Sequence, residues 1–479
     1  MDQWQTASVI SLGILDRDSV VPLHEQLAHG LRAAVLARRV GPGDAVPSTR
    51  ALAADLGVAR GTVVAAYEIL AGEGYLTTIP GGGTVVADVV VPPAAARVPS
   101  AGAAERVPRA EVDLRPGRPR TAGVADTAWR SAWRRAAAVD PESDVDDASG
   151  SPALRVEIAR HLGRTRGLDV SAEDVVVSAG TSDAMLLTLV SLMSGRDRKP
   201  LRVGIEDPGY PRVRTILQRL GIIAVPVPVR VGSGLDLDAL ARQRGLDALI
   251  VTPNHHYPLG SRLDAEQRAR LLTWAVREDV IVIEDDYDSE FPHGRAPLPP
   301  LSLLDPSRVV LIGSLSKILT PALRCGWVVA SGPVGELIRA TREDIDLPVS
   351  LVQQRALALY LAEGDLARHT ARRRRDYRHR RGLLLEAFAD APGVELAATD
   401  GGLHAVVLLP GRDVAVERAI VGELAARGVL VESLSRYAVG EDSPARSSGI
   451  VFGYAEPSTV VLLEAVGVML TVLRAHIAR

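Results

Sequence analysis

Of the 55 lysines and arginines in the chain, two are lysines, Lys199 and Lys317. Lys199 lies in the polar stretch "GRDRKP", where a solvated charge needs no explanation. Lys317 lies in "GSLSKILTPALRCGW", between an apolar run and a turn. Arginine keeps its proton in a protein, whereas a desolvated lysine releases one and becomes an amine nucleophile that forms Schiff bases. A surface lysine spared by chance ranks below that reading, because the neighbouring residues also suit amine chemistry.

Four further groups follow apolar runs. Gly180, Thr181 and Ser182 open an apolar helix after "VVVSA", and N–H groups with hydroxyls at a helix start form a phosphate cup. Ordinary capping explains these three equally well. Tyr210 follows "LRVGIEDPG", as a ring for stacking or as a packing residue. Glu284, Asp285, Asp286 and Asp288 crowd "VIVIEDDYDSEF". They suit Mg²⁺ or a carboxylate paired with a protonated pyridine nitrogen, with Tyr287 beside it. One strand–helix–strand unit separates Asp285 from Lys317, which favours the pyridine role. Ser314, Ser316 and Arg324 surround the lysine and suit a phosphate ester. Together they describe pyridoxal 5′-phosphate: lysine for the aldehyde, Asp285 for the ring nitrogen, Tyr210 for the ring face, hydroxyls and Arg324 for the phosphate. The adjacent His255 and His256 do not share a face and have no spaced cysteine partner, so no metal site is expected there.

Such residues need a scaffold. "DVVVSAG", "LRVGIEDPGY", "ALIVTPN", "VIVIEDDYD" and "RVVLIGSLSK" are short Val/Ile-rich runs separated by helical stretches. This alternation predicts an α/β fold with a mainly parallel sheet, whose ligands collect at the carboxyl ends of the strands. A long helix and a smaller α+β portion are expected beyond about residue 350. Pro- and Ala-rich residues 91–112 read as a linker. Before it, residues 21–90 read as three helices and a hairpin. Leu23, Leu27, Leu31, Val35 and Leu36 form the first helix's apolar face, Ser48 caps the second helix, and Gly57 ends it. Two short helices joined by a tight turn and followed by a hairpin make a winged helix-turn-helix.

Composition sets the outer limits. A chain of 479 residues, 47% hydrophobic and 24% charged, predicts two or three domains. A net charge of −3 gives no general pull toward nucleic acid. One cysteine, Cys325, excludes an intramolecular disulfide and suits a reducing compartment. The first residues lack the pattern of a signal peptide, and no apolar run approaches the roughly 18 residues of a spanning helix. A soluble cytoplasmic protein is expected, with no membrane partner.

The motifs "IEDDYDSEF", "SLSKIL.P.LR.GW" and "GGLH" (Gly401–His404) make residues 113–479 resemble a fold-type I aminotransferase domain. "VPSTRALAADLGVARGTVVAAYEILAGEGYLTTIPGGGTVV" resembles a GntR-type winged helix. The fusion is similar to the MocR group of bacterial transcription regulators. The resemblance implies that Lys317 holds pyridoxal phosphate as a Schiff base and Asp285 pairs with the ring nitrogen. It implies that Tyr287 contacts the phenolic oxygen and Tyr210 stacks on the ring. Thr181, Ser182, Ser314, Ser316 and Arg324 would bind the phosphate. Ser48, Arg50, Arg60, Thr62, Gly82, Gly83 and Thr84 would meet a double-stranded operator, with Arg50 and Arg60 best fitted to guanine edges. A homodimer is implied. The winged helix carries five arginines and six acids, so DNA affinity must come from local clustering or from avidity.

Two positions depart from the aminotransferase pattern. Tyr257 replaces the asparagine that usually precedes a proline, and Val451 replaces the late arginine that clamps a substrate carboxylate. The missing clamp removes a bidentate charged contact and weakens the expectation of efficient turnover. A regulator sensing pyridoxal phosphate or an amine is therefore the leading expectation. A working aminotransferase with an accessory DNA-binding domain is the alternative, and a sensor that has lost the cofactor is a third. Arg436 reads as a solvent residue or a substitute anion contact. The basic stretch 371–382 reads as a solvated helix face or a second DNA-backbone contact.

Overall fold

The structure is a computed structural model describing residues 15–17, 19–79, 83–88, 112–194, 200–294, 298–440, 443 and 447–477. Lys199, Gly82 and linker residues 91–111 lie outside the described residues. The chain divides into two units, residues 1–106 and 107–479.

In the smaller unit, the helix Leu23–Leu36 buries Leu27, Ala28, Leu31, Ala34 and Val35. Leu36 is exposed and Leu23 only half-buried. Residue 36 lies about 100° around the helix from residue 35, so Ala28 and Ala34 complete the stripe instead. The helix Thr49–Leu56 starts where Ser48 Oγ accepts from the Ala51 amide at 3.2 Å, and it stops at Gly57, with φ +63°. The helix Arg60–Gly72 buries Val63, Ala66, Tyr67 and Leu70. Tyr67 donates to the Pro47 carbonyl at 2.8 Å, which ties this helix to the turn before its partner. The strands Leu76–Ile79 and Gly83–Val86 pair antiparallel as the wing.

The larger unit is built on an eight-stranded sheet. Its order is Val175–Ser178, Gly326–Val329, Val309–Ser314, Ile281–Asp286, Ala248–Val251, Arg202–Asp207, Ile223–Arg230, Gly234–Leu235. The run from Val309–Ser314 to Ile223–Arg230 is parallel throughout. Gly326–Val329 runs antiparallel to both its neighbours. The central strands are apolar on both faces because each face has its own core. Val203, Ile205, Ile250, Ile283, Val310 and Ile312 pack on one side. Leu249, Val251, Val282 and Val309 pack on the other.

Three strands were not anticipated. Pro226 and Pro228 disguise Ile223–Arg230, Gly234–Leu235 is too short to declare itself, and Gly326–Val329 opens on a glycine directly after the lysine loop, with no separate run to mark it. Past residue 350, the single long helix expected is two, Leu351–Ala362 and Asp365–Phe388, broken at Gly364 with φ +73°. A four-stranded sheet follows, in the order Glu395–Ala397, His404–Leu408, Gly449–Gly453, Glu432–Ser433. Val112, assigned to the linker from sequence, forms a short parallel pair with Val429.

The expectation of no apolar run of spanning length needs correction. The 19-residue helix Thr459–Ile477 is long and apolar enough to cross a membrane by length and composition. Glu464 interrupts its apolar sequence and hid it. Leu462, Ala465, Val466, Met469, Val472 and Leu473 are buried in the larger unit's core. The basic stretch 371–382 lies in the helix Asp365–Phe388. Four of its seven arginines donate to backbone carbonyls: Arg373 to Ala122, Arg374 to Glu290, Arg380 to Tyr454, Ala455 and Pro457, and Arg381 to Thr399. Much of this helix's charge therefore fastens it to the surrounding chain.

Candidate functional site

The strands Val309–Ser314 and Gly326–Val329 form a hairpin, and the loop between them carries Ser316, Lys317 and Arg324. Gly313 faces Trp327 across the pair, and a Cβ at Gly313 would lie 2.5 Å from the indole. Buried Leu315, Ile318 and Leu319 anchor the loop. Arg324 sits in the left-handed region, φ +49°, after a short turn that Thr320 caps. This places the lysine and the arginine on one fixed loop at a sheet end.

All nine residues assigned to the cofactor from sequence line one cavity of about 270 Å³: Thr181, Ser182, Tyr210, Asp285, Tyr287, Ser314, Ser316, Lys317 and Arg324. Gly180 caps the helix Thr181–Met193 with φ +84°. A Cβ there would lie 3.7 Å from both Arg324 Nη1 and Ser316 Oγ, so the helix start, the hydroxyl and the guanidinium surround one small space. Unspent N–H groups and a guanidinium are a donor set for phosphate.

The four acids do not converge. Successive residues of a strand point to opposite faces, so Asp285 faces the cavity while Glu284 and Asp286 face away. Asp286 meets Arg166 at 3.1 Å, and Glu284 accepts from the Ser302 amide at 3.3 Å. Asp288 Oδ2 lies 2.8 Å from His255 Nδ1. This leaves Asp285 as the carboxylate of the cavity. Its Oδ1 is buried and has no partner among the described residues. Burial and nearby Asp286 push its pKa up to about 7, against the pull of Lys317. An unmet buried carboxylate oxygen at a sheet end fits a protonated pyridine nitrogen, so the residues present suit pyridoxal phosphate.

Lys317 Nζ donates to the Gly117 carbonyl at 2.8 Å. Burial lowers its pKa, Asp288 and Asp285 oppose the shift, and Arg212 adds to it. Tyr210 remains partly exposed at the mouth, edge-on to Tyr257 at 5.8 Å. The Tyr257 hydroxyl lies 3.1 Å from that of Tyr437, which donates to Glu432 at 2.5 Å. Val451 is fully buried in Gly449–Gly453, packed with Val406 and Tyr437. Arg436 lines a wider cleft at the mouth and pairs with Glu432 at 3.2 Å.

Sequence reasoning passed over several residues. Arg212, two positions after Tyr210, lines both the cavity and the cleft. Its place at the start of the helix Pro211–Arg219 was the available signal. Thr252 lines the cavity and gives two hydrogen bonds to Glu206, 3.0 Å from its amide and 2.6 Å from its hydroxyl. Burial raises the Glu206 pKa to about 7. His255, Asp288 and His404 bring potential ligand atoms within 4.8 Å of one another, a grouping no local spacing announces. Within the group His255 Nδ1 meets Asp288, and His404 Nε2 lies 2.9 Å from the Pro258 carbonyl, while His255 Nε2 is buried with no hydrogen-bond partner among the described residues.

In the winged helix, Ser48, Arg50, Arg60 and Gly83 are exposed, and Thr62 and Thr84 are half-buried. Arg60 opens the third helix, and its Nε approaches Thr49 Oγ1 at 3.4 Å. Gly83, φ +87°, begins the second wing strand. Gly82 lies outside the described residues.

Residues 23–86 match the family described as bacterial regulatory proteins, gntR family, and residues 112–447 match aminotransferase class I and II. The chain is 41% identical over 429 residues to the HTH-type pyridoxine biosynthesis transcriptional regulator PdxR of Corynebacterium glutamicum, covering 90% of this chain and 91% of that one. It is 32% identical over 473 residues to the probable rhizopine catabolism regulatory protein MocR of Rhizobium meliloti, covering 93% of each. An archaeal alanine:glyoxylate aminotransferase structure superposes with a TM-score of 0.68 at 24% identity, covering 76% of this chain and 91% of that one.

Proposed function

This chain belongs to the MocR-type GntR-family transcription regulators, and on that premise we propose that pyridoxal phosphate itself is the signal it reads. It is a DNA-binding regulator whose larger unit has the aminotransferase class I/II fold and takes pyridoxal phosphate. The observation that carries the finer reading is a complete cofactor cradle beside an absent carboxylate clamp. Lys317, Asp285 and Arg324 share one cavity, while Val451 is apolar and Arg436 is neutralised by Glu432. The name of the Corynebacterium relative, a pyridoxine biosynthesis regulator, points the same way.

Bound pyridoxal phosphate supplies an aldehyde that condenses reversibly with a primary amine. The residues of the chain do the rest. Burial lowers the Lys317 pKa and readies its amine as a nucleophile. Asp285 would hold a proton on the ring nitrogen. The start of the helix Thr181–Met193, with Ser314, Ser316 and Arg324, would grip the phosphate. A ligand shifts the regulator only by binding one arrangement better than another. Closing the cavity around the phosphate and ring nitrogen provides that difference. A homodimer in the cytoplasm would then present two winged helices to a repeated operator, with Arg50 and Arg60 as base-reading side chains.

A second reading rests on Arg212. It lines the cavity and its charge is felt at Lys317. It could pair with the acid group of an amine effector.

The test combines two measurements on the full-length protein. Added pyridoxal phosphate should give a visible absorption band that borohydride fixes covalently, absent in Lys317→Ala. Binding to DNA from the protein's own promoter region should change with pyridoxal phosphate and not with amino acids alone. A response that requires an amino acid overturns the cofactor-as-signal reading and favours Arg212 as an anion contact. Repeated release of keto acid would identify a working aminotransferase.

A further inference from the structure

Behind the cavity wall, His255 and Asp288 form a caged pair that the cofactor reading does not use. Tyr287 lines the cavity, and its hydroxyl is 3.0 Å from His255 Nδ1. The same nitrogen is 2.8 Å from Asp288 Oδ2. His255 is 6% exposed and Asp288 3%. The His255 and Tyr287 rings stack at 6.2 Å. On the other side, the Gly401–Gly402 turn of the smaller subdomain presses on the pair. A Cβ at Gly402 would fall 2.1 Å from Asp288 Oδ2 and 2.9 Å from His255 Cε1. Only a glycine, here with φ +69°, lets the chain pass that close. His404 packs on the same ring at 5.3 Å.

Proton accounting gives the pair a direction. Nδ1 carries one proton, and its nearer, charged acceptor is Asp288. A protonated Nδ1 cannot accept from Tyr287. The phenol oxygen therefore faces an N–H, and its own proton, which Asp288 also attracts, is available to an acceptor in the cavity. Burial opposes a charge on His255, but Asp288 and its hydrogen bond overcome this and hold the His255 pKa above its ordinary value. Burial and the Asp288 charge hold the Tyr287 pKa well above its ordinary value, so the hydroxyl keeps its proton. The other titratable groups facing His255 do not reverse this. Burial drives the pKa values of His256 and His404 down, to about 3 and about 4, so both are neutral, while Asp400 adds negative charge.

We propose that His255, held by Asp288, is a positioning residue that orients the Tyr287 hydroxyl as a hydrogen-bond donor to the ring oxygen of bound pyridoxal phosphate. The inference rests on the cofactor reading above. It assigns the adjacent histidines different roles: His255 serves the cavity, whereas His256, 3.0 Å from the Pro208 carbonyl, holds the loop.

The test is a pH titration of the cofactor's visible band in the full-length protein, with pyridoxal phosphate added, in a double-mutant cycle. A donor to the ring oxygen stabilises its negative charge. Losing the donor should raise the pH midpoint of the band by about one unit, the scale of one charged hydrogen bond. Tyr287→Phe and His255→Ala should both raise it, and His255→Ala should add nothing in the Tyr287→Phe background. His255→Asn keeps an N–H near the Nδ1 position and should restore the parent midpoint. Asp288→Asn is an independent arm and should shift it in the same direction as His255→Ala. A parent-like midpoint in both His255→Ala and Asp288→Asn overturns the proposal. A His255→Ala shift that survives undiminished in Tyr287→Phe also overturns it. A parent protein that shows no band overturns the cofactor reading and this inference with it.

Discussion

In the winged helix, Arg50 and Arg60 stand in solvent on helices held by an independent core of Leu27, Leu31, Val63 and Leu70. In the larger unit, Asp285 is buried with an oxygen unmet, and Lys317 is stripped of much of its water. The first arrangement costs the fold little, because exposed side chains keep their hydration until DNA replaces it. The second holds polar groups away from solvent without full compensation, which is unfavourable until a ligand supplies the missing partners. A site of the second kind is visible in the empty protein as a set of unmet demands. A site of the first kind is visible only through the element that presents it.

That contrast is easiest to break at Lys317. Lys317→Ala should abolish borohydride-fixed cofactor while leaving operator affinity without pyridoxal phosphate at the parent level. Absorption and fluorescence anisotropy read the two halves, and a loss of basal DNA binding would show that the sites are not separable. Next in size is Asp285→Asn. The folded pKa of Asp285 is raised from 3.8 to about 7. Its neutral form is therefore favoured in the fold, and the ligand-free parent loses stability as pH rises from about 4 to about 7. The variant lacks that loss. Its stability advantage should grow across this window, level off above about pH 7, and reach at most about 4 kcal/mol. Denaturant unfolding at several pH values checks this, and pyridoxal phosphate affinity should fall in the same variant.

On the exposed side, Arg60→Ala should weaken operator binding by about 1–3 kcal/mol and leave the cofactor spectrum unchanged. Ser48→Ala should cost the winged helix about 1 kcal/mol through its lost cap, read as a lower melting temperature of that unit. A shift of the cofactor band in either variant would contradict the contrast.

Much of the cavity was legible because each contributing residue follows its own apolar run. "VVVSA", "VIVIE" and "VVLIG" each form a strand; Thr181 and Lys317 stand just beyond their strands, and Asp285 is the next-to-last residue of its own. The alternation of strand faces separates Asp285 from Glu284 and Asp286, although "EDDYD" alone does not say which carboxylate faces the ligand. What was hidden depends on distance along the chain or on masking composition. His255, Asp288 and His404 meet across 149 residues, with no local period to reveal them. Prolines concealed the strand Ile223–Arg230, one glutamate concealed the long apolar helix Thr459–Ile477, and "ARRRRDYRHRRG" gave no sign that its arginines bind carbonyls. Exposed Arg50 and Arg60 were legible only through their helices and the family resemblance.

The hydrogen bond from Lys317 to the Gly117 carbonyl carries a consequence beyond cofactor capture. Gly117 lies five residues after Val112, where the larger unit's first strand begins and the linker from the winged helix ends. An amine committed to an aldehyde has fewer protons to give, so whatever takes the lysine also loosens its hold on the Gly117 carbonyl, in the segment just after the larger unit's first strand.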